Sequence, residues 1–227
     1  MSYILSIETS TPLCSVAIHK EGILCYTCES QEEGAHGKKL TRLIENSLLG
    51  ANIQANQLEA VAISNGPGSY TGLRIGLATA KGFCFGLELP LITINTLEIM
   101  AAAWGTKRPN TFLLPMIDAR RMEVYAAILD PEKKSTVLET QAIILEPDTF
   151  QAIDHTMIAF GNGARKWQGT CEHTKIEFSE SHPFPEAKNM GMLAYTSFKN
   201  KAFANIVTVE PNYLKEFMGT KPKTSKS

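Results

Sequence analysis

The apolar residues of this chain follow two rhythms, and the change from one to the other marks out its elements. Tyr3-Ile-Leu-Ser-Ile-Glu8 reads as a buried strand and Cys14-Ser-Val-Ala-Ile-His19 as its partner. Lys20-Glu21-Gly22 then turns the chain toward a third strand over Ile23 to Cys28, so an antiparallel meander is expected. From Lys38 to Ala51 the period lengthens. Leu40, Leu43, Ile44, Leu48 and Ala51 recur at helical spacing between Lys39, Arg42, Glu45 and Asn46, which predicts an amphipathic helix. A strand at 60–64, a helix at 72–86, a strand at 90–94 and a helix at 96–104 continue an α/β order. Past Gly105-Thr-Lys-Arg-Pro-Asn110, which reads as a domain boundary, apolar strands at 112–118 and 123–129 echo the first pair at an offset of about 110 residues. The echo reads equally as two related sheet domains or as the ordinary opening of any two α/β domains. A strand at 156–160 runs into Gly161-Asn162-Gly163, a helix is expected at 190–202 and a short strand at 206–209, and Glu210-Pro-Asn-Tyr-Leu214 closes the fold. The expected organisation is an N-terminal domain over 1–105, a smaller C-terminal α/β domain over 106–216 and a disordered tail over 217–227.

The stretch Asn65-Gly-Pro-Gly-Ser-Tyr-Thr-Gly-Leu-Arg-Ile-Gly76 links a strand to a helix through glycines. Such a loop can aim backbone N–H groups at an anion. The spacing nonetheless misses both familiar patterns. Gly72 is followed by Leu73 and Arg74 where a triphosphatase loop needs Lys and Ser or Thr, and Gly66, Gly68 and Gly72 are too widely spaced for a dinucleotide fingerprint. The glycines also continue into the helix. At 100° per residue Gly72, Gly76, Thr79, Phe83 and Gly86 fall within about 60° of one another, with Arg74 and Lys81 opposite. Each interior glycine costs a helix nearly ~1 kcal/mol relative to alanine, so the stripe calls for close approach of another backbone. That backbone belongs to the same domain in the plainer reading and to a neighbouring subunit in the other.

Composition narrows the function classes. A net charge of −1 gives no whole-protein field toward nucleic acid or anionic lipid, so any nucleic-acid contact would be local or supplied by a partner. No basic leader or long apolar run suggests secretion or a membrane span, and the five cysteines are odd in number, so a cytoplasmic chain with reduced thiols is expected. Cys25 and Cys28 form a CxxC, but an offset of three on a strand sends them to opposite faces, and they are read as structural. His19, His36, His155, His173 and His182 include no pair four apart, which leaves no helical metal pair. Glu8 and Asp118, each ending an apolar strand, could hold a hydrated magnesium ion or act as bases; the preferred reading is that they cap the turns that follow.

Ile4-Leu-Ser-Ile-Glu-Thr-Ser-Thr11 with Cys14-Ser-Val-Ala17, Gly66-Pro-Gly-Ser-Tyr-Thr-Gly-Leu-Arg-Ile-Gly76, Ile117-Asp-Ala-Arg120 with Glu123-Val-Tyr125, and Glu210-Pro-Asn-Tyr-Leu214 together resemble the TsaB (YeaZ) family. The match covers about residues 2 to 215, departing at Glu8, where the family has Asp, and at Tyr70, where it has Phe. The resemblance implies two ribonuclease-H-like domains of the actin-like ATPase and sugar kinase superfamily, the second simplified. It also implies a non-catalytic subunit that supports TsaD, with a TsaE-type ATPase, in forming N6-threonylcarbamoyladenosine in tRNA. The resemblance further implies that ATP and a divalent metal belong to the partner subunits, that tRNA is met indirectly, that the isolated chain forms a homodimer, and that no membrane is involved. Thr96 and Met100 occupy the positions of the H-x-x-x-H metal pair of TsaD, and the resemblance implies no catalytic or metal-binding residue here. It places the interface on the two helices after His36 and at Gly72, through His36, Leu40, Leu43, Ile44, Ser47, Gly72, Arg74, Ile75, Gly76, Thr79 and Phe83, and it moves the glycine stripe toward a partner's backbone. Glu8, Gly66, Gly68, Ser69, Asp118, Gly161 and Gly163 remain as nucleotide or anion contacts. The alternative is a free-standing nucleotide-binding phosphotransferase or ATPase of the same fold.

Overall fold

The computed structural model describes residues 2–32, 34–104, 108–179 and 184–215. The expected tail, His182 and the first three residues of the expected boundary lie outside them. The first sheet contains β1 (Tyr3–Glu8), β2 (Cys14–Lys20), β3 (Ile23–Ser30), β4 (Leu58–Ser64) and β5 (Leu91–Ile94), in the order β3-β2-β1-β4-β5. The first three strands are the antiparallel meander, while β4 and β5 run parallel to β1. The second sheet contains β6 (Thr111–Asp118), β7 (Glu123–Asp130), β8 (Ser135–Ile144), β9 (Thr156–Phe160) and β10 (Ile176–Ser179). Taken from one edge its order is β8-β7-β6-β9-β10, again an antiparallel meander followed by two parallel strands. The echo between residues 3–19 and 112–129 is therefore a shared sheet topology.

The two sheets differ in what joins their strands. In the first, α1 (Ala35–Gly50) connects β3 to β4 and α2 (Tyr70–Leu87) connects β4 to β5, whereas turns make both corresponding connections in the second. The first sheet is buried on both faces because its side chains alternate. Leu5, Ile7, Val16, Ile18, Val61 and Ile63 point to α1 and α2. Ile4, Ala17, Ala60, Ala62, Ile92 and Ile94 point the other way, to Ile99 of α3 (Thr96–Ala102) and Ala194 of α4 (Gly191–Lys199). The opposite side of α3, with Leu97, Met100 and Ala101, packs on Leu113, Ile117, Ile158 and Phe160 of the second sheet. Helix α3 is thus the layer shared by both sheets. Asn95 fixes its start, accepting the Leu97 N–H at 2.8 Å while its Nδ2 donates to Thr140 Oγ1 of β8 at 2.8 Å.

The C-terminal stretch departs from the expected partition. Residues 187–213 return to the first sheet: Ala187, Met190 and Ala194 join Ile4 and Ala17, the Ala187 N–H donates to Ser15 Oγ at 2.9 Å, and His19 Nε2 lies 3.1 Å from the Lys188 carbonyl. The reason is the otherwise uncovered Ile4/Ala17 face, which needs an apolar helix over it. The strand expected at 206–209 is replaced by a turn, and the bridge to β5 is made by Ala204 N–H to the Leu91 carbonyl, 2.8 Å.

Two glycines of the α2 stripe face their own chain. A Cβ at Gly72 would run into the Thr9 carbonyl oxygen, and one at Gly76 into Thr9 Oγ1 with Ile63 Cδ1 3.0 Å away. Gly82 and Gly86, further along, would meet nothing within 4 Å. The glycines of α2 therefore divide between a buried N-terminal pair and an open C-terminal pair. Gly76→Ala is expected to lower the unfolding free energy by about 1–3 kcal/mol through overpacking. Gly82→Ala should raise it by up to ~1 kcal/mol through helix propensity alone. Urea denaturation gives both values, and a shift of the same sign in the two variants would contradict this division.

Candidate functional site

The carboxyl end of β1 and the glycine loop after β4 meet where proteins of this architecture carry their ligands, at the carboxyl ends of parallel strands. Glu8 ends β1 and is completely buried. Its Oε1 accepts the Ser10 N–H at 2.6 Å, so the carboxyl caps the turn into β2. Burial pushes its pKa up to about 7, although hydrogen bonds from Ser10, Ser64 and Thr9 act in the opposite direction. Burial, and after it the nearby Glu8 carboxyl, pushes the Cys14 thiol up to about 12.

The glycine loop lies directly on this turn. The Ser69 N–H donates to the Ser10 carbonyl at 2.6 Å, and a Cβ on Gly68 would collide with that same carbonyl. Ser69 caps α2 by accepting the Gly72 N–H at 3.2 Å. Gly66, at φ 100°, gives its carbonyl to the Thr96 N–H at 3.0 Å, and the Asn212 carbonyl lies against its α-carbon. A phosphate would need these donors and this space, and the chain itself occupies both. The residues present do not fit a nucleotide phosphate in this arrangement. Thr96 and Met100 are both buried; Met100 packs against Gly161, and among the described residues no three His, Cys, Asp or Glu side chains group as a metal site.

Asp118, at the corresponding end of β6, is half-exposed and has a separate set of partners. Its Oδ1 accepts the Arg120 N–H at 2.8 Å and an ion pair from Lys166, while its own N–H donates to Asn162 Oδ1 at 2.9 Å. Partial burial pushes its pKa up, but the Lys166 hydrogen bond, the Arg120 N–H and the charges of both residues outweigh that and hold it below the ordinary carboxylate range. Glu8 and Asp118 thus cap two different turns. Gly161, at φ 94°, and Gly163 allow the loop after β9 to lie against Met116 and Ile117 of β6.

The residues that the resemblance assigns to the interface mostly turn inward. Leu40, Leu43, Ile44 and Ser47 are buried on the inner face of α1, as Gly72 and Gly76 are on α2. Ile75 and Phe83 are half-buried against the same core, and Thr79 donates its hydroxyl to the Ile75 carbonyl at 2.9 Å. His36 is half-buried, and desolvation holds its pKa down while the Thr11 and Leu13 backbone acts against it. An amphipathic stripe marks the side that a helix gives to its own sheet, and these residues lie on that side. The outward faces consist instead of Gly37, Thr41, Glu45 and Leu49 on α1, and Thr71, Arg74, Ala78, Gly82 and Phe85 on α2, with Leu49 76% and Phe85 84% exposed.

Of the assigned residues, Arg74 lies on the outward face, and it has a partner that the helix pattern does not reveal. Its guanidinium sits 4.0 Å from the Tyr70 ring centroid, and its Nε donates to the Tyr213 hydroxyl at 2.9 Å; the two tyrosine rings are 4.7 Å apart. With the Asn212 N–H donating to the Asn65 carbonyl at 2.8 Å, these contacts strap the C-terminal segment across the glycine loop. Lys166 was equally unmarked in the sequence, apart from its place just after a strand and two glycines.

Two sheets with one repeated strand order, each carrying a carboxylate at the end of its first strand, define a protein of the actin-like ATPase and sugar kinase fold class. A ROK hexokinase from Thermus thermophilus superposes with a TM-score of 0.52 at 9% identity, covering 87% of this chain and 99% of that one. YeaZ from Pseudomonas aeruginosa superposes with a TM-score of 0.80 at 24% identity, covering 94% of this chain and 100% of that one. The family described as "TsaD: tRNA N6-adenosine threonylcarbamoyltransferase" matches residues 30–224, and the chain belongs to it. It is also similar to the tRNA threonylcarbamoyladenosine biosynthesis protein TsaB of Escherichia coli, 28% identical over 218 residues that cover 93% of this chain and 94% of the relative.

The raised pKa of Glu8 makes a signed prediction. A carboxyl that holds its proton more tightly in the fold than in the unfolded chain adds stability that is fully present below pH 4.5 and lost as pH rises toward about 7. The unfolding free energy of the wild type minus that of Glu8→Gln is expected to fall by roughly 3 kcal/mol across that window. Denaturant titrations at several pH values measure the difference, and a pH-independent difference would contradict the assignment.

Proposed function

We propose that this chain is a non-catalytic partner that binds and supports a TsaD-type catalytic subunit in forming N6-threonylcarbamoyladenosine in tRNA, at the adenosine 3′ of the anticodon. The observation that carries the reading is the closure of the glycine loop on Thr9 and Ser10, which fills from within the position where a related ATPase needs room for phosphate. What the closure leaves available is the outward face of α1 and α2, where small residues lie beside exposed Leu49 and Phe85. Such a face suits a helix of similar shape, because Ala78, Gly82 and Gly86 let a second backbone approach closely. The membership of the chain in the TsaD family and the name of its relative TsaB support the pathway.

ATP and a divalent metal then act on the partner subunits, including a TsaE-type ATPase in the assembled complex. The same face accounts for a homodimer when the catalytic subunit is absent. The surroundings are taken to be the cytoplasm, where tRNA is modified; among the described residues no helix is long and apolar enough to cross a membrane.

Gly82→Arg separates this reading from a folding role, because Gly82 is exposed and a β-carbon there meets nothing within 4 Å of its own chain. The variant is expected to keep the wild-type thermal midpoint and to lose co-elution with the TsaD-type subunit. In cells it should lower threonylcarbamoyladenosine in bulk tRNA toward the level of a deletion strain. An intact complex would contradict the placement of the interface. Unchanged nucleoside in the deletion strain would contradict the pathway, and micromolar ATP binding by the isolated chain in calorimetry would favour the phosphotransferase reading.

A further inference from the structure

A basic hairpin joins β6 to β7 and takes no part in the proposed subunit contact. Its turn is Ala119-Arg120-Arg121-Met122, closed by Ala119 N–H to the Glu123 carbonyl at 3.0 Å and Glu123 N–H to the Arg120 carbonyl at 3.2 Å. Both arginines hold left-handed backbone, φ 71° and 51°, a region that non-glycine residues disfavour. Lys166 braces this shape, donating to the Arg121 carbonyl at 2.7 Å and also to the Glu123 carbonyl and Asp118.

The acids around the turn already have partners. Asp118 pairs with Lys166, and Glu123 pairs with Lys215. Arg120, Arg121 and nearby Arg165 are exposed, and no ion pair engages them among the described residues. A chain with a net charge of −1 thus holds a local excess of positive charge on a braced turn. The hairpin also lies beside α2. Tyr213 contacts Arg74 and Lys215, two residues on, contacts Glu123, a step of at most about 7 Å along the chain.

We propose that this hairpin grips the sugar-phosphate backbone of the tRNA, with the Arg120 and Arg121 guanidinium groups on phosphate oxygens. The inference rests on the proposed function, which brings tRNA to the neighbouring subunit. Two adjacent exposed guanidinium groups, neither in an ion pair among the described residues although the Arg120 charge acts on Asp118, suit phosphates, and a near-neutral chain has to concentrate its phosphate contacts locally. The contact positions the RNA and carries no base selectivity.

The test uses the full chain in complex with its TsaD-type partner, and titrates tRNA at several KCl concentrations. R120Q/R121Q is expected to keep its thermal midpoint and its co-elution with the partner. Its tRNA affinity should fall about tenfold or more at low salt, and the slope of log K against log salt should become shallower by about 2, one for each phosphate that the variant leaves unneutralised. R120K/R121K should recover most of that slope, since phosphate binding needs the charge. K133Q/K134Q, on the β7–β8 turn, should leave it unchanged. An unchanged slope in R120Q/R121Q while the complex is intact overturns the proposal and leaves the proposed function standing. Loss of co-elution in R120Q/R121Q with its fold intact also overturns it, and assigns the hairpin to a protein contact. Failure of the wild-type chain to co-elute with the partner counts against the proposed function instead. The same titration on the isolated chain then decides the hairpin: a shallower slope in the variant supports it and an equal slope overturns it.

Discussion

The contact on which the rest of the structure depends is the seating of the glycine loop and the first turn of α2 on the backbone of Thr9 and Ser10. It requires the absence of three β-carbons, at Gly68, Gly72 and Gly76. It uses the Ser69 N–H on the Ser10 carbonyl, and it places the apolar side of α2 over Ile63 and its neighbours in the core. Helix glycine is unfavourable in isolation, so its place here rests on the packing that it permits. That packing sets the angle at which α2 leaves the sheet, and with it the outward face that α2 presents beside α1.

The closure also has a chemical consequence. An architecture that can present loop amides to phosphate at the ends of its strands here turns those groups onto its own backbone, and the C-terminal strap lies over the loop through Asn212 and Tyr213. Glu8, which in an open cleft would be solvated and ionised, instead sits fully buried with its pKa pushed up to about 7. In the second sheet the equivalent carboxylate, Asp118, remains at the surface because Lys166 partners it there. One strand order repeated twice thus carries two carboxyl groups in opposite electrostatic settings, one buried among hydroxyls and one in an ion pair.

Much of this is legible in the sequence. Short, nearly continuous apolar runs mark the first two strands, helical spacing marks α1, and the echo between residues 3–19 and 112–129 corresponds to a shared topology. Strand β8 escapes the pattern because it is an edge strand exposed along most of its length, so burial imposes little alternation on it. The strand expected at 206–209 fails because a short apolar run cannot by itself distinguish a strand from a turn whose Val207 is 83% exposed. The site is less legible than the fold. Periodicity shows which residues of a helix share a face, but not whether that face meets its own sheet or another chain, so it leaves the partner of the Gly72 and Gly76 stripe open, and the structure packs both glycines, with Leu40, Leu43 and Ile44, inward. Lys166 and the pairing of Arg74 with Tyr213 come from contacts across 43 or more residues, which local pattern does not carry.

Amide hydrogen exchange on the isolated chain, alone, with ATP and magnesium, and with the TsaD-type subunit, tests the central claim most directly. A loop closed on its own chain predicts that the amides of Ser10 and Ser69 are protected without any ligand and are unchanged by ATP. The same account predicts that the catalytic subunit adds protection along the outward faces of α1 and α2. Rapid exchange across residues 66–69 that slows on addition of ATP would show an open phosphate loop, and would contradict the account.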